Sequence, residues 1–310
     1  MSSRSDSQLQ NVYELLKNAK PLEAKQELES ILSQDLENTD ILFALKVATY
    51  WANEMKMIDS FSNGYEKGEQ LISKWKHFYS LLKHDIPQHE SLLFFIQQGV
   101  FRYCLDSFSS ILKESRTQDK ADVYARMGLC YKKLGDYTTS LRYLKDANKA
   151  APKKADILAQ MADCYALCGE EIPAKALFRE AFFIEPKQID LELLESELFY
   201  KLHEITLASK QKDSNLAAWI PIYGVLYGIL TIKRELKSLE VGQLKQAIYA
   251  LEKEYKEAEV AKDDIKALLI NHYFWLIDHY IAVNEGRECV HEVLLKIKII
   301  DSTIYEQYCA

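Results

Sequence analysis

ADVYARMGLCYKKLGDYTTSLRYLKDANKAAPKK over Ala121–Lys154 and ADILAQMADCYALCGEEIPAKALFREAFFIEPKQ over Ala155–Gln188 state one pattern twice, 34 residues apart. Each copy opens on Ala-Asp, carries a glycine near its middle (Gly135, Gly169) and has a proline near its end (Pro152, Pro186). In the first copy Tyr124, Met127, Gly128 and Tyr131 precede Ser140, Leu144 and Ala147. In the second, Leu158, Met161, Ala162 and Tyr165 precede Ala174, Phe178 and Ala181. Apolar residues three and four apart on both sides of a glycine describe two amphipathic helices joined by a tight turn, with the proline stopping the second. Helices that cross closely need short side chains at the crossing, which Gly128, Ser140 and Ala147 supply. Met127, Tyr131, Leu144 and Phe178 are the bulk expected between successive hairpins. One hairpin cannot bury its own apolar face, so further hairpins are expected on both sides.

This stretch resembles the tetratricopeptide repeat (TPR) family, whose unit reads W-x2-L-G-x2-Y, then A-x3-F, then P. Tyr124 stands for the Trp, Met127 for the Leu, Ser140 for the Ala and Leu144 for the Phe. In the second copy Ala162 replaces the Gly, while Ala174, Phe178 and Pro186 are kept. The resemblance implies an all-α, right-handed TPR-type superhelix, a solenoid of about seven or eight hairpins with degenerate ones flanking the two good copies. It also implies a concave surface, lined by the first helix of each hairpin, that takes a peptide or helix of a protein partner. The residues projecting there would be Ala125, Arg126, Leu129, Lys132 and Lys133, then Ala159, Gln160, Asp163, Ala166 and Leu167, with Arg126, Lys132, Lys133 and Gln160 orienting the guest. Modules that clamp a chaperone's acidic carboxyl terminus carry Lys and Asn in this groove; Ala125, Leu129, Ala159 and Asp163 stand here instead, which disfavours that guest.

The totals fit a helical binding protein. A chain of 310 residues would make about two globular domains, but a repeat array grows along one axis and escapes that rule. With 48% apolar residues and only 10 glycines and 6 prolines, a continuous helical core is expected and an all-β fold is not. A net charge of -7 without a long basic run argues against nucleic acid as partner. Six cysteines, at 104, 130, 164, 168, 289 and 309, form no disulfide framework, and Met1–Gln10 is too polar for a secretory signal, so the cytoplasm is the expected compartment.

Three regions are expected: degenerate hairpins over 1–120, the two good repeats over 121–188, and an irregular helical region over 189–310. Residues 1–7 read as disordered. Helices are expected over Leu9–Lys17 and Pro21–Leu32, with Pro21 in a first turn and Ala24, Leu28 and Ile31 on one face. Thr39-Asp40 caps a helix to about Met55, and Tyr65–Leu82 is its partner, with Asp59–Gly68 as a hinge or insertion. Pro87 starts a further pair that bends near Arg102–Asp106. A helix is expected over Ile189–Leu207, with a polar linker and domain boundary at Ala208–Asn215. Leu236–Val260 is a long helix wrapped in Lys and Glu, Ala267–Val283 a helix buried all round, and Cys289–Ile299 closes the last hairpin.

Candidates for chemistry are few. Gly64 and Gly68 lack the Lys-Ser/Thr of a phosphate loop, and no GxGxxG occurs. Cys164 and Cys168 stand one turn apart without further ligands at metal spacing, so they read as small buried apolar residues. His272 and His279 read as hydrogen-bonded members of a packed seam, with an enzymatic site there as the remote alternative. No cofactor, metal or catalytic residue is expected. Leu216–Ile232 runs 17 residues without a charge; it is short for a membrane span and carries Pro221. Its readings are a buried helix, an exposed partner-binding patch centred on Trp219, Pro221 and Tyr223, and a membrane-associating segment.

Asp40–Trp51, and Ala218–Gly228 continuing into Lys233-Arg234, are further similar to spirochaete TPR proteins associated with the periplasmic flagellar collar. That resemblance implies a structural subunit at the flagellar motor or inner membrane. The function expected is a non-catalytic scaffold or adaptor holding a partner's helix or peptide.

Overall fold

A computed structural model describes residues 2–33, 38–82, 89–114, 120–209, 215–232, 235–259 and 262–310, with the side chains of 2–8, 113 and 114 outside that description. Among the described residues every regular element is helical. The chain divides into two compact units, Met1–Ala151 and Pro152–Ala310, so the division falls within the last residues of the first repeat copy.

The first unit holds α1 (Ser2–Lys17), α2 (Pro21–Leu32), α3 (Thr39–Ile58), α4 (Gly64–Leu81), α5 (Glu90–Glu114), α6 (Lys120–Lys133) and α7 (Tyr137–Ala150). Pro21 starts α2, the side chain of Asn38 accepts the Asp40 and Ile41 N–H groups, and Asn63 accepts that of Tyr65, so each start is fixed locally. Ala24, Leu28 and Ile31 are buried as their spacing requires. An aromatic core joins Trp51, Trp75, Phe78 and Phe101, with ring centroids 5.3 to 6.1 Å apart. α1 crosses α5 at Gly99, where a Cβ would sit 2.0 Å from the Leu16 carbonyl oxygen.

Two expectations fail in this unit. α1 begins at Ser2, since nothing in the polar start breaks a helix. The chain does not break near Arg102–Asp106: α5 is one uninterrupted helix of 25 residues. That segment contains neither Gly nor Pro, and Phe101, Cys104 and Phe108 are all fully buried along a helix packed by α1, α4 and α6. Pro87 lies outside the described residues, as does the Lys233-Arg234 pair.

α6 and α7 realise the first repeat. Ser140 Oγ donates to the Gly128 carbonyl at 2.7 Å, and a Cβ on Gly128 would come within 2.6 Å of Leu144 Cγ, so the crossing demands the small pair. Gly135 adopts φ +84°, with its N–H donating to Lys132 O and that of Asp136 to Tyr131 O, a left-handed helix cap. Tyr131 is half-buried and stacks on Tyr143.

The second unit holds α8 (Ala155–Leu167), α9 (Glu171–Ile184), α10 (Glu197–Ser209), α11 (Leu216–Leu226), α12 (Ser238–Glu257), α13 (Lys262–Ala282), α14 (Arg287–Ile300) and α15 (Ser302–Cys309). α8 and α9 repeat the hairpin, with Ala162, Ala174, Phe178 and Ala181 fully buried and Gly169 at φ +78° in the same cap. The helix expected from Ile189 begins only at Glu197, after single 3-10 turns at Pro186–Gln188 and Leu191–Leu193. α13 is buried on nearly every side, flanked by α9, α11, α12 and α14. α15 continues past the expected last hairpin because Asp301 accepts the N–H groups of Thr303 and Ile304 and starts a new helix.

Candidate interaction surfaces

The groove expected on the first repeat is largely occupied. Leu129, Lys132 and Lys133 are buried, because the face of α6 turned away from α7 lies against α5. Gln97 of α5 donates to the Lys133 carbonyl at 2.8 Å. Arg126 is half-buried and forks onto Glu69 of α4, with Nη2 at 2.9 Å from Oε2, so its guanidinium is already committed.

On the second repeat Gln160 and Leu167 are half-buried, and Asp163 is wholly buried. The Asp163 carboxylate accepts the backbone N–H of Ser196 at 2.9 Å and that of Glu195 at 3.0 Å. Ser196 Oγ in turn accepts the Phe199 N–H and opens α10. The clamp thus holds the last two amides before α10 with a side chain 32 residues upstream. Asp163→Ala would orphan two backbone donors in the interior, and we expect a loss of about 3 kcal/mol, read as a lower urea midpoint with unchanged slope. A loss under about 1 kcal/mol would show that the clamp does not set the start of α10.

The exposed aromatic patch expected around Trp219 is a core. Trp219, Pro221 and Tyr223 are buried in α11, and Trp219 Nε1 donates to Asp263 at 2.8 Å. The charge-free run is a helix of 11 residues followed by a reversal at Gly228, φ +69°, that folds Leu230 back onto Gly224. Its residues from Ala217 to Gly224 are buried, whereas Tyr227 is 56% exposed. Among the described residues no helix is long and apolar enough to cross a membrane.

His272 and His279 share one face of α13 but lie two turns, about 10 Å, apart and do not converge. His272 Nδ1 stands 2.7 Å from the Leu268 carbonyl oxygen, so that nitrogen carries the proton and donates, and the ring lies 4.9 Å from Phe183. It lines a pocket of about 160 Å³ with Lys153, Glu180, Glu240 and Gln243. Burial lowers the His272 pKa below its ordinary value of 6.5, against the opposing pull of the Leu268 carbonyl. The unfolded chain then takes up a proton that the folded chain refuses, so stability falls as pH drops below about 6.5. His272→Gln is expected to flatten the fall in urea midpoint between about pH 7 and pH 5; an equal fall in both proteins would contradict it.

Cys164 is fully buried, as its apolar reading required, whereas Cys168 is exposed. Among the described residues no group of three or more His, Cys, Asp or Glu could hold a metal ion. Sequence reasoning missed the ion pair of Arg179 (α9) and Asp278 (α13), whose side chains are 3% and 10% exposed. An Arg beside Phe178, Ala181 and Phe182, and an Asp following Phe274, Trp275, Leu276 and Ile277, were the available signals. Large apolar side chains stand in solvent at Leu239 and Tyr249 on α12 and at Leu295 and Ile299 on α14.

Fold and surfaces together define an all-α protein whose helices pack chiefly with their chain neighbours. No protein-family model matches the chain, and no curated protein matches it either.

Proposed function

We propose that the chain is a non-catalytic protein-interaction scaffold of TPR type, which holds an amphipathic helix or extended peptide of a protein partner. The carrying observation is the repeated hairpin geometry: a Gly128–Ser140 crossing and matching left-handed caps at Gly135 and Gly169, on the 34-residue period. Such hairpins form rigid walls, and rigid walls bind preformed or folding helices with little reorganisation of their own. The guest does not enter along Leu129, Lys132 and Lys133, which are covered. The test is affinity purification with the tagged full chain, followed by calorimetry of the recovered protein after separate purification. Direct binding with a negative heat-capacity change is expected; no directly binding protein would overturn the reading.

A further inference from the structure

We propose that the pocket between α9, α12 and α13 binds a small neutral aromatic molecule that carries one O–H or N–H donor, a ligand of the phenol or aniline class. The inference goes beyond the scaffold reading and does not depend on it. Phe183 and Ile184 of α9, Leu244 and Ala247 of α12 and Leu236 just before it make an apolar lining, in which the His272 imidazole of α13 also stands. The volume of about 160 Å³ is the room of a single ring; an apolar cavity of about 150 Å³ takes up benzene. Phe183, with its ring centre 4.9 Å from that of the imidazole, gives an aromatic guest a ring to pack against, a contact that an aliphatic alcohol would forgo.

The polar groups decide what the ring must carry. His272 Nδ1 donates to the Leu268 carbonyl at 2.7 Å, and no hydrogen bond among the described residues uses Nε2, at the far edge of the ring. Burial lowers the His272 pKa, so the ring is neutral at pH 7 and Nε2 is an acceptor with its lone pair uncommitted. A guest with a donor satisfies it. Lys153 and Glu240, which also line the pocket, are paired with each other at 3.1 Å, and Glu180 has a partner of its own within the protein, so the charges present do not call for an ionic guest. Water held against Phe183, Leu236 and Leu244 makes few hydrogen bonds, and displacing such water favours an apolar body.

Phenol and toluene are the probes, since they match in shape and differ in the single donor. Titration of the full chain, followed by saturation-transfer NMR, is expected to give a dissociation constant for phenol on the order of 1 mM. Toluene, which leaves Nε2 without a partner, is expected to bind at least about fivefold more weakly. In nitrogen NMR of the imidazoles the His272 Nε2 signal is expected to move with phenol and to stay with toluene. Ala247→Phe, which fills the pocket from α12, is expected to weaken phenol by about tenfold or more, and His272→Leu to bring phenol down to the level of toluene. Circular-dichroism melts establish that each variant is folded, and the Nε2 signal of the wild type carries the test where one is not. Equal affinity for the two probes, a stationary Nε2 signal at saturating phenol, or undiminished phenol binding in folded Ala247→Phe overturns the assignment.

Discussion

Arg179→Ala is expected to lower stability by about 3–5 kcal/mol, the largest effect of any charged residue described above. Its guanidinium is buried between α9 and α13, paired with Asp278, donating to the Leu230 carbonyl at 2.9 Å and lying 5.4 Å from the centre of the Trp275 ring. Truncation strips Asp278 of its guanidinium counter-charge and Leu230 of a donor in the same step, and a buried charge without that compensation is the costly product. Removing both charges is a different experiment. Arg179→Met with Asp278→Leu should recover most of the loss, because an apolar pair of similar bulk needs no compensation. Urea denaturation of the three variants measures the cycle, and a single-variant loss under about 1 kcal/mol would show that the pair contributes little.

Trp219→Ala is expected to cost about 3–5 kcal/mol, from lost burial and the cavity left among α11 and α13. Trp219 is fully buried, its Nε1 donates to Asp263, and Lys266 Nζ stands 5.4 Å from its ring centre. Tyr223 sits beside it with its hydroxyl donating to the Ser209 carbonyl at 3.3 Å, and burial, then nearby negative charge, pushes its pKa up to about 12. A partner assay with Trp219→Ala would therefore report unfolding rather than a lost contact. Circular-dichroism melting of the variant decides it: an unchanged melting temperature would return Trp219 to the list of surface residues.

What could be read from the sequence was what short-range rules determine. Gly135 and Gly169 had to be left-handed caps, because a helix ended there and another residue would be strained. Ala24, Leu28 and Ile31 followed from period, and α13 from Ala267 onward from its being apolar on nearly every side. Several failures share one cause, packing against another element that local pattern does not reveal. Periodicity tells which face of α6 is opposite α7, but not that α5 already covers it. It reads Asp163 as a polar groove residue, although a carboxylate between Ala162 and Cys164, after Met161, was a signal of interior use. Of the readings of the charge-free run at 216–232, the buried helix held over Ala217–Gly224 and the partner-binding patch at Trp219, Pro221 and Tyr223 failed, since α13 packs against α11. Tyr249 was passed over because it falls outside the α12 stripe of Leu244, Ile248, Leu251 and Tyr255, and standing off that face leaves it in solvent.

The Asp163 clamp also decides how the backbone around α10 trades protons with heavy water. Glu195 and Ser196 precede the helix, where amides ordinarily exchange within seconds, yet both donate to a carboxylate with no solvent contact. Their deuterium uptake should track the opening of the second unit's core, making two loop amides reporters of the interior.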